Sequence, residues 1–528
     1  EQIYFYKNVN GTFQKLDPLV PHNEEAKQVL WVDFDNDGDK DLYVATFTGT
    51  NRLYRNTGSL NFEDITVAAG LPVNEHRTFG ACWGDFDRDG WLDLYYGERK
   101  YPPGSEVNEN HLFRNNADGT FTEVTAVAQA GDPGKIPFCS AFLDYNNDKW
   151  PDLYTANDKL SINTLLENNG DGTFTDVSTA THADLEMDAM CVAVGDYDND
   201  GWQDVYISDI ENGSELLHSL GATDTSGVTF ENTAATAGVG FYGIGWGSNF
   251  FDADNDGDLD LYVSGMLIGA SVISSAFYQN EGDGTFSWPA DAGFAGDTVS
   301  SFNNAIGDFN ADGFPDIMVV NTEPFKAQLW QNGGGGNQWL KLDLEGVLSN
   351  RDGVGAKIEI FSNGHYQMRY KHCGIGFLGQ NSGTEIIGLG SQTVADSIRI
   401  TWPTGHVDHL YGVAAGQTLF VAEGSTTGGD IFVDDDVNLT IVANEEVPRE
   451  GRHVRVFPNP VASILNVRLS GRHFSRFALL DGGSRVMSAG SVLSEAFQLD
   501  VTPAGSGAFF LVVWNEKGER EVVKVVRK

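Results

Sequence analysis

Short apolar runs, each ending in a cluster of acids, recur along the first 336 residues: VLWVDFD, GACWGDFD, CSAFLDYN, CVAVGDYD, GSNFFDAD and NAIGDFN. Each is followed by a β-rich run: DLYVATF, DLYYGER, DLYTAND, DVYISDI, DLYVSGM and DIMVVNT. A third run recurs as LYRN, LFRN, LLEN, FYQN and LWQN, and a fourth follows a turn in DGTFTEVT, DGTFTDVS and DGTFSWP. These runs do not alternate strictly between apolar and polar, as expected of strands covered on both faces. The D-G and N-G pairs between them supply the positive φ that tight hairpins need. Four short strands in a unit of roughly 50 residues predict a propeller blade.

The fold class expected is therefore all-β, with a β-propeller over 1–336. A solenoid would more often have shorter repeats and no reason to close. The N-terminal YFYKN and GTFQKL form a third-and-fourth-strand pair with no acidic loop before them. Seven blades follow if later strands complete that pair, and six is the alternative. Gly84, Gly195, Gly247 and Gly307, just before the acids, fit inner strands crowding a central axis.

Composition narrows the function. The 528 residues carry a formal charge of -42, which argues against nucleic acid or an anionic membrane as partner. Aromatic residues make up 12%, too many for a disordered acidic chain. Cys82, Cys139, Cys191 and Cys373 lack C-x-x-C spacing and read as buried free thiols. No apolar run approaches the ~18 residues of a membrane span. The chain opens at Glu1 inside strand-like sequence, from which we expect a mature form whose export signal has been removed.

The acids carry the chemistry. Loops of the type D-x-D-x-D-G-x-x-D begin at Asp33, Asp85, Asp144, Asp196, Asp252 and Asp308, with steps of 52, 59, 52, 56 and 56 residues. Oxygen ligands are expected at the first, third, fifth and ninth positions, with a backbone carbonyl at the seventh. The set is Asp33, Asp35, Asp37, Asp39 and Asp41 in the first loop, and Asp85, Asp87, Asp89, Trp91 and Asp93 in the second. The third has Asp144, Asn146, Asp148, Trp150 and Asp152; the fourth has Asp196, Asp198, Asp200, Trp202 and Asp204. The fifth has Asp252, Asp254, Asp256, Asp258 and Asp260; the sixth has Asp308, Asn310, Asp312, Phe314 and Asp316. Hard oxygen ligands in this number suit Ca²⁺, and about six structural ions are expected. An EF-hand is rejected. Its position-twelve Glu is replaced by Val44, Tyr96, Thr155, Ile207, Val263 and Val319, and the flanks read as strands. Asn146 and Asn310 remove a charge, and Lys149 replaces the loop glycine, so sites of unequal strength are expected.

With these loops in place, residues 1 to about 335 resemble the FG-GAP/VCBS-type repeats of integrin-like propellers. Residues 337–424 read as a compact β domain, with alternation in KIEIF and SIRITW and turns at SNG and PTG. The SNRDGVGAKIEI entry, the Gly388–Gly390 turn and the Trp402–Gly405 turn resemble the UnbV/ASPIC domain found after such propellers. His365, His372, His406 and His409 lack zinc-site spacing and read as surface or turn residues. Residues 425–448 read as an acidic linker. Residues 449–528 hold 12 Lys and Arg against 7 Asp and Glu, a change of sign that marks a separate module, expected as a C-terminal Ig-like β-sandwich of about seven strands. Pro458-Asn459-Pro460, the Gly505–Val513 strand and the Lys524–Lys528 run resemble the C-terminal sorting domain of the type IX secretion system of Bacteroidetes-type bacteria. That resemblance implies passage through the type IX machinery and a place outside the cell or on its outer surface.

The function expected is a secreted or surface-displayed binding and adhesion platform, non-catalytic, for a glycan or protein ligand. Trp91, Trp150 and Trp202 are candidate contacts. Self-association into a filament or surface layer is one alternative, and a polysaccharide-acting enzyme is the other. No nucleophile elbow or H-E-x-x-H pair supports the latter.

Overall fold

The structure is a computed structural model. It describes residues 3–426, except 10, 100–107, 211–212, 223–226, 267–274, 290–291 and 295–296, together with strands between 454 and 527. It is all-β apart from one-turn helices at Thr125–Ala128, Ser178–Thr181 and Ala234–Ala237, each following the outermost strand of a sheet.

Six antiparallel sheets follow one another, and each contains one acidic loop. Sheet one consists of Glu25–Val32, Asp41–Thr48, Arg52–Asn56 and Phe62–Asp64, paired in that order. Sheet two is Thr78–Gly84, Asp93–Glu98, Glu109–Asn115 and Phe121–Glu123. Sheets three, four and five open with Pro137–Leu143, Cys191–Gly195 and Ile244–Phe251, and repeat the same four-strand order. Sheet six has three strands, Ser301–Gly307, Asp316–Asn321 and Gln328–Trp330. In every sheet the acidic loop joins the first strand to the second.

The apolar runs lack alternation because both faces are covered. Leu30, Tyr43 and Leu53 of sheet one pack with Trp83, Leu94 and Phe113 of sheet two. Cys82, Tyr95 and Leu112 on the other face of sheet two pack with Phe142, Leu153 and Leu166 of sheet three. Similar clusters join sheets three to four, four to five and five to six. Fully burying one such side chain stabilises by about 1.5–3 kcal/mol, so these inter-sheet layers are the main cohesion of the region. Gly84 belongs to this packing: a Cβ there would sit 2.6 Å from the Phe142 ring, so its crowding comes from the neighbouring sheet. All four cysteines are buried free thiols.

The N-terminal hairpin, Tyr6–Val9 with Thr12–Lys15, pairs only with itself among the described residues. It lies between the last sheet and the first. Asn8 Nδ2 donates to Phe309 O (2.6 Å) and Phe13 meets Phe309 edge-on at 5.5 Å. Phe5, just before the hairpin, meets Trp31 of sheet one at 6.1 Å.

Residues 338–422 form two sheets. One has Gln338–Glu345 between Glu385–Gly390, antiparallel, and Gln417–Ala422, parallel. The other runs His365–Tyr370, Lys357–Ser362, Val394–Thr401, Val407–Ala414. Leu340, Ile358, Ile360, Ile387, Ile398 and Trp402 fill the core between them. Of the histidines read as surface or turn residues, His372 and His406 are not at the surface: His406 is buried beside the Trp402–Gly405 turn, and burial pulls the His372 pKa down to about 4.

The linker expected over 425–448 lies outside the described residues from 427 onward. Beyond it, strands form one antiparallel sheet of Val454–Phe457, Ile464–Leu469 and Ala496–Asp500, and another of Val486–Ser491, Phe474–Leu480, Gly507–Asn515 and Arg520–Arg527. Pro458-Asn459-Pro460, Gly505 and Lys528 lie outside the described residues.

Candidate metal loops and the domain docked on them

Each acidic loop is a cage built by its own backbone. The first-position carboxylate accepts the N–H groups of positions five and six. Asp37 and Gly38 donate to Asp33 at 3.1 and 2.9 Å, and Asp89 and Gly90 to Asp85 at 2.9 and 3.0 Å. Asp144, Asp196 and Asp308 repeat both bonds, and Asp252 accepts from Gly257 at 3.0 Å. The fifth-position carboxylates accept the seventh-position N–H in all six loops, from Asp39 to Asp37 (2.8 Å) through to Phe314 to Asp312 (2.9 Å). Seventh-position side chains are therefore free to vary. Trp91 and Phe314 are buried, and the Arg88 guanidinium lies over the Trp150 ring at 4.7 Å. Trp91 is thus no surface contact.

The ninth-position Asp is held from two sides. Asp93 accepts Phe86 N–H (3.0 Å) and Asn115 N–H (2.7 Å), and Asp41, Asp152, Asp204, Asp260 and Asp316 repeat this pattern. The other donor closes the third run of each sheet, an asparagine in five sheets and Ser219 in sheet four, a part of the site that sequence reasoning passed over. Its signal was the final N of LYRN, LFRN, LLEN, FYQN and LWQN. The same asparagines reach back one loop: Asn115 Nδ2 donates to Phe34 O and Asn168 Nδ2 to Phe86 O, both at 2.8 Å. Fourth-position asparagines, held at positive φ, reach forward, Asn36 Nδ2 to Gly90 O (3.0 Å) and Asn255 Nδ2 to Gly313 O (3.0 Å). These bonds tie neighbouring loops to one another.

In the first, second and fourth loops the structure brings predicted carboxylates together. Ligand oxygens of Asp33, Asp35 and Asp37, of Asp85, Asp87 and Asp93, and of Asp196, Asp198 and Asp200 lie within 4.8 Å of one another. Asp35 Oδ1, Asp87 Oδ1 and Asp252 Oδ1 are buried without a hydrogen-bond partner. Burial, then neighbouring carboxylates, push Asp33 to about 7 and Asp196 to about 8; burial pushes Asp41 to about 9 and Asp85 and Asp93 well above the usual range. Buried oxygens aimed at each other without donors fit a hard cation. Asn146 and Asn310 instead donate to the fifth-position carboxylates Asp148 (2.9 Å) and Asp312 (2.7 Å), relieving part of the repulsion within those loops. His218, beside Asp204 (3.3 Å) and Asp198 (3.5 Å), does the same in the fourth loop; its hydrogen bond to Asp204 raises its pKa to about 9.

The 338–422 domain docks on this loop-bearing rim. Asp33 N–H donates to Asp352 Oδ2 (3.0 Å), Lys40 pairs with Asp352, and Arg351 N–H donates to Asn36 Oδ1 (2.7 Å). Lys357 Nζ reaches Asn147 Oδ1 (2.7 Å), Lys341 Nζ reaches Asp308 Oδ2 (2.8 Å), and Arg369 lies 3.8 Å from Asp252. Gly388 N–H donates to Asp252 Oδ2 (3.1 Å), where a Cβ would stand 2.1 Å from that oxygen. The SNRDG motif is thus a docking element.

From the same domain, residues 372–382 run past the first strand of each of the six sheets that carry an acidic loop. Trp83 N–H donates to Cys373 O (2.9 Å), Gly376 N–H to Val192 O (2.9 Å) and Gln28 Nε2 to Gly379 O (3.2 Å). His372 Nδ1 meets Phe142 O (3.0 Å), Asn381 Nδ2 donates to Asn249 Oδ1 (2.9 Å) and Ser382 N–H to Ile306 O (2.8 Å). Gly374, at φ 83°, comes so close to Ala81 O that a Cβ would lie 2.6 Å from it. No periodicity in the sequence announces this segment.

Comparison with known proteins matches this architecture. An FG-GAP-like repeat model matches residues 33–96, 104–155 and 144–207, and an ASPIC and UnbV model matches 346–428. Cartilage acidic protein 1 of Homo sapiens is 25% identical over 436 residues, covering 74% of this chain and 62% of that protein. Cartilage acidic protein 1 of Xenopus tropicalis is 24% identical over 279 residues, covering 49% of this chain and 41% of that protein. The chain thus spans less than two thirds of either relative. A solved exo-β-1,3-galactanase from Phanerochaete chrysosporium is 10% identical, covering 74% of this chain and 98% of that one, with a TM-score of 0.28. The chain is a protein of FG-GAP-like repeats joined to an ASPIC and UnbV domain.

Proposed function

We propose that this chain is an extracellular, calcium-stabilised binding platform without catalytic chemistry of its own. The observation that carries the reading is the row of carboxylate cages along one rim, with buried oxygens that no group of the protein satisfies. Bound there, Ca²⁺ supplies fixed positive charge and oxygen coordination. Asp33, Asp35, Asp37 and Asp41 would hold the first ion, Asp85, Asp87, Asp89 and Asp93 the second, and the corresponding residues the remaining four. The chain's own residues do the rest: they fix each loop, link it to the next and lock the ASPIC and UnbV domain onto the rim.

We read the sheets as blades of one propeller with 372–382 along its axis. Six blades carry acidic loops, and the N-terminal hairpin, in contact with both the sixth loop and the first sheet, takes the seventh position. The filled axis favours recognition on outer surfaces over chemistry in a central funnel. Tyr242 and Trp288 are exposed and replace Trp91 as candidate contacts for a glycan or protein. The basic C-terminal module is read as the type IX sorting signal that places the protein outside the cell. The test is a glycan and protein array probed with calcium-loaded chain, alongside light scattering with and without calcium. A monomer giving saturable, calcium-dependent hits is expected. Calcium-dependent polymers without hits would overturn the reading in favour of self-assembly.

A further inference from the structure

We propose that sheet two carries a second kind of metal site, in which His76, Glu98 and His111 bind a borderline transition ion such as Zn²⁺. The three residues are buried, and one ligand atom of each lies within 4.8 Å of the others. They stand away from the acidic loop of that sheet. Glu98 ends the strand that Asp93 begins, and His76 lies two residues before the opposite end of its neighbour, Thr78–Gly84.

Strand register explains the convergence. Thr78 pairs with Glu98 and Tyr96 with His111. Side chains two residues apart share a face, and directly paired residues share it too, so Glu98, Tyr96 and His111 project together. His111 Nε2 and Glu98 Oε2 are 3.2 Å apart. In a tetrahedral site with bonds of about 2.1 Å, neighbouring ligand atoms stand about 3.4 Å apart, so this pair is already at coordination spacing. The other ring nitrogen of His111 meets Glu123 Oε1 at 2.8 Å, the outer carboxylate that typically orients a metal-bound imidazole. Tyr96 Oη holds His76 Nδ1 at 3.0 Å and so fixes the second ring. Two imidazoles and one carboxylate favour Zn²⁺ or Co²⁺ over the calcium of the oxygen-only loops.

The repeat supplies an independent argument. Five residues past the ninth-position Asp, where sheet two has Glu98, the other sheets have Thr46, Asn157, Asp209, Gly265 and Asn321. Four residues before the one ending the LFRN-type run, where sheet two has His111, they have Arg52, Thr164, Glu215, Ala276 and Gln328. The blade architecture therefore does not require either residue. Both departures fall in one sheet and meet one another.

The test uses the full chain, stripped with chelator and then returned to millimolar Ca²⁺ so that the acidic loops are filled. Titration with Co²⁺ should give one saturable ion per chain with the visible absorption of a low-coordinate imidazole site, displaced by Zn²⁺. His76→Gln and His111→Gln should abolish that spectrum, and Glu123→Gln should weaken binding about 10–100-fold. His365→Gln, an exposed histidine elsewhere, should leave it intact. No saturable Co²⁺ spectrum in the folded wild-type chain would overturn the proposal and leave a buried His–Glu ion-pair network. The same would follow from an unchanged spectrum in both folded histidine variants.

Discussion

The first and sixth acidic loops share one nine-residue frame, yet the docked domain meets them with opposite charge. Asp33 N–H bonds the Asp352 carboxylate, whereas Asp308 receives the Lys341 ammonium at 2.8 Å. Burial and then Asp352 raise the Asp33 pKa to about 7. The fifth loop resembles the sixth, with Arg369 lying 3.8 Å from Asp252. The local sequence thus writes the cage, and the domain docked on it sets the charge that surrounds it. On the proposed calcium reading, loops one and two should depend most on a bound cation, because loops four, five and six carry part of the compensating charge internally through His218, Arg369 and Lys341.

Chelation should have the largest effect. With free Ca²⁺ at 100 times the dissociation constant, each site contributes about 2.7 kcal/mol. Emptying several should lower the melting temperature of the FG-GAP-like region by on the order of 10 °C, read by calorimetry with and without EGTA. An unchanged melting curve would remove calcium from the account. The pH dependence in chelator comes next. Folding raises Asp33 and Asp252 to about 7, Asp196 to about 8 and Asp41 to about 9, from 3.8. A carboxyl raised on folding contributes stability that is full below the unfolded value and is lost as pH climbs through the folded one. The chelated chain should therefore melt higher near about pH 5.5 than near about pH 8.5. In saturating calcium the trend should reverse, because protons compete with the ion.

Single substitutions sharpen the contrast between loops. Asp87→Ala should remove one calcium and about 3 kcal/mol in calcium, and should cost little or even stabilise in EGTA, where it relieves repulsion. Lys341→Met should behave in the opposite way. In EGTA it leaves Asp308 without its counter-charge and should cost about 1–3 kcal/mol; in calcium the loss should shrink. Urea unfolding under both conditions reads the two differences. Equal costs for Lys341→Met with and without calcium would end the idea that the docked domain substitutes for an ion.

The sequence shows the cages because all their carboxylates lie within nine residues, so Asp33 to Asp41 can be read as one object. The inter-loop asparagines Asn115 and Asn168 were legible as the last residue of a repeated run, although their partners Phe34 and Phe86 lie 81 and 82 residues away. The docking was not legible. Asp33 and Asp352 are 319 residues apart, and Lys341 shows no signal as a partner of Asp308 until the fold brings them together. The segment 372–382 was hidden for another reason. Cys373, Gly376 and Gln380 bond through backbone atoms or a lone amide, which leaves no hydrophobic period to detect. His76, in the loop before Thr78–Gly84, and His111, on Glu109–Asn115, come together only once that sheet has formed.

The smallest effect concerns Lys149, the residue in the sixth position of the third loop where the other five have glycine. Its N–H still donates to Asp144 Oδ2 at 3.0 Å, as Gly90 does to Asp85 at 3.0 Å, so the cage keeps its form. It does so at φ 74°, a left-handed conformation that costs an L-residue about 1–2 kcal/mol. Glycine adopts that φ freely but gives the unfolded chain more freedom, which offsets part of the gain. Lys149→Gly should therefore stabilise the region by about 0.5–1 kcal/mol, a rise of about 1–3 °C, and by a similar amount in EGTA, because the strain is in the backbone. A gain confined to calcium would mean instead that the lysine charge, and not its φ, weakens the third site.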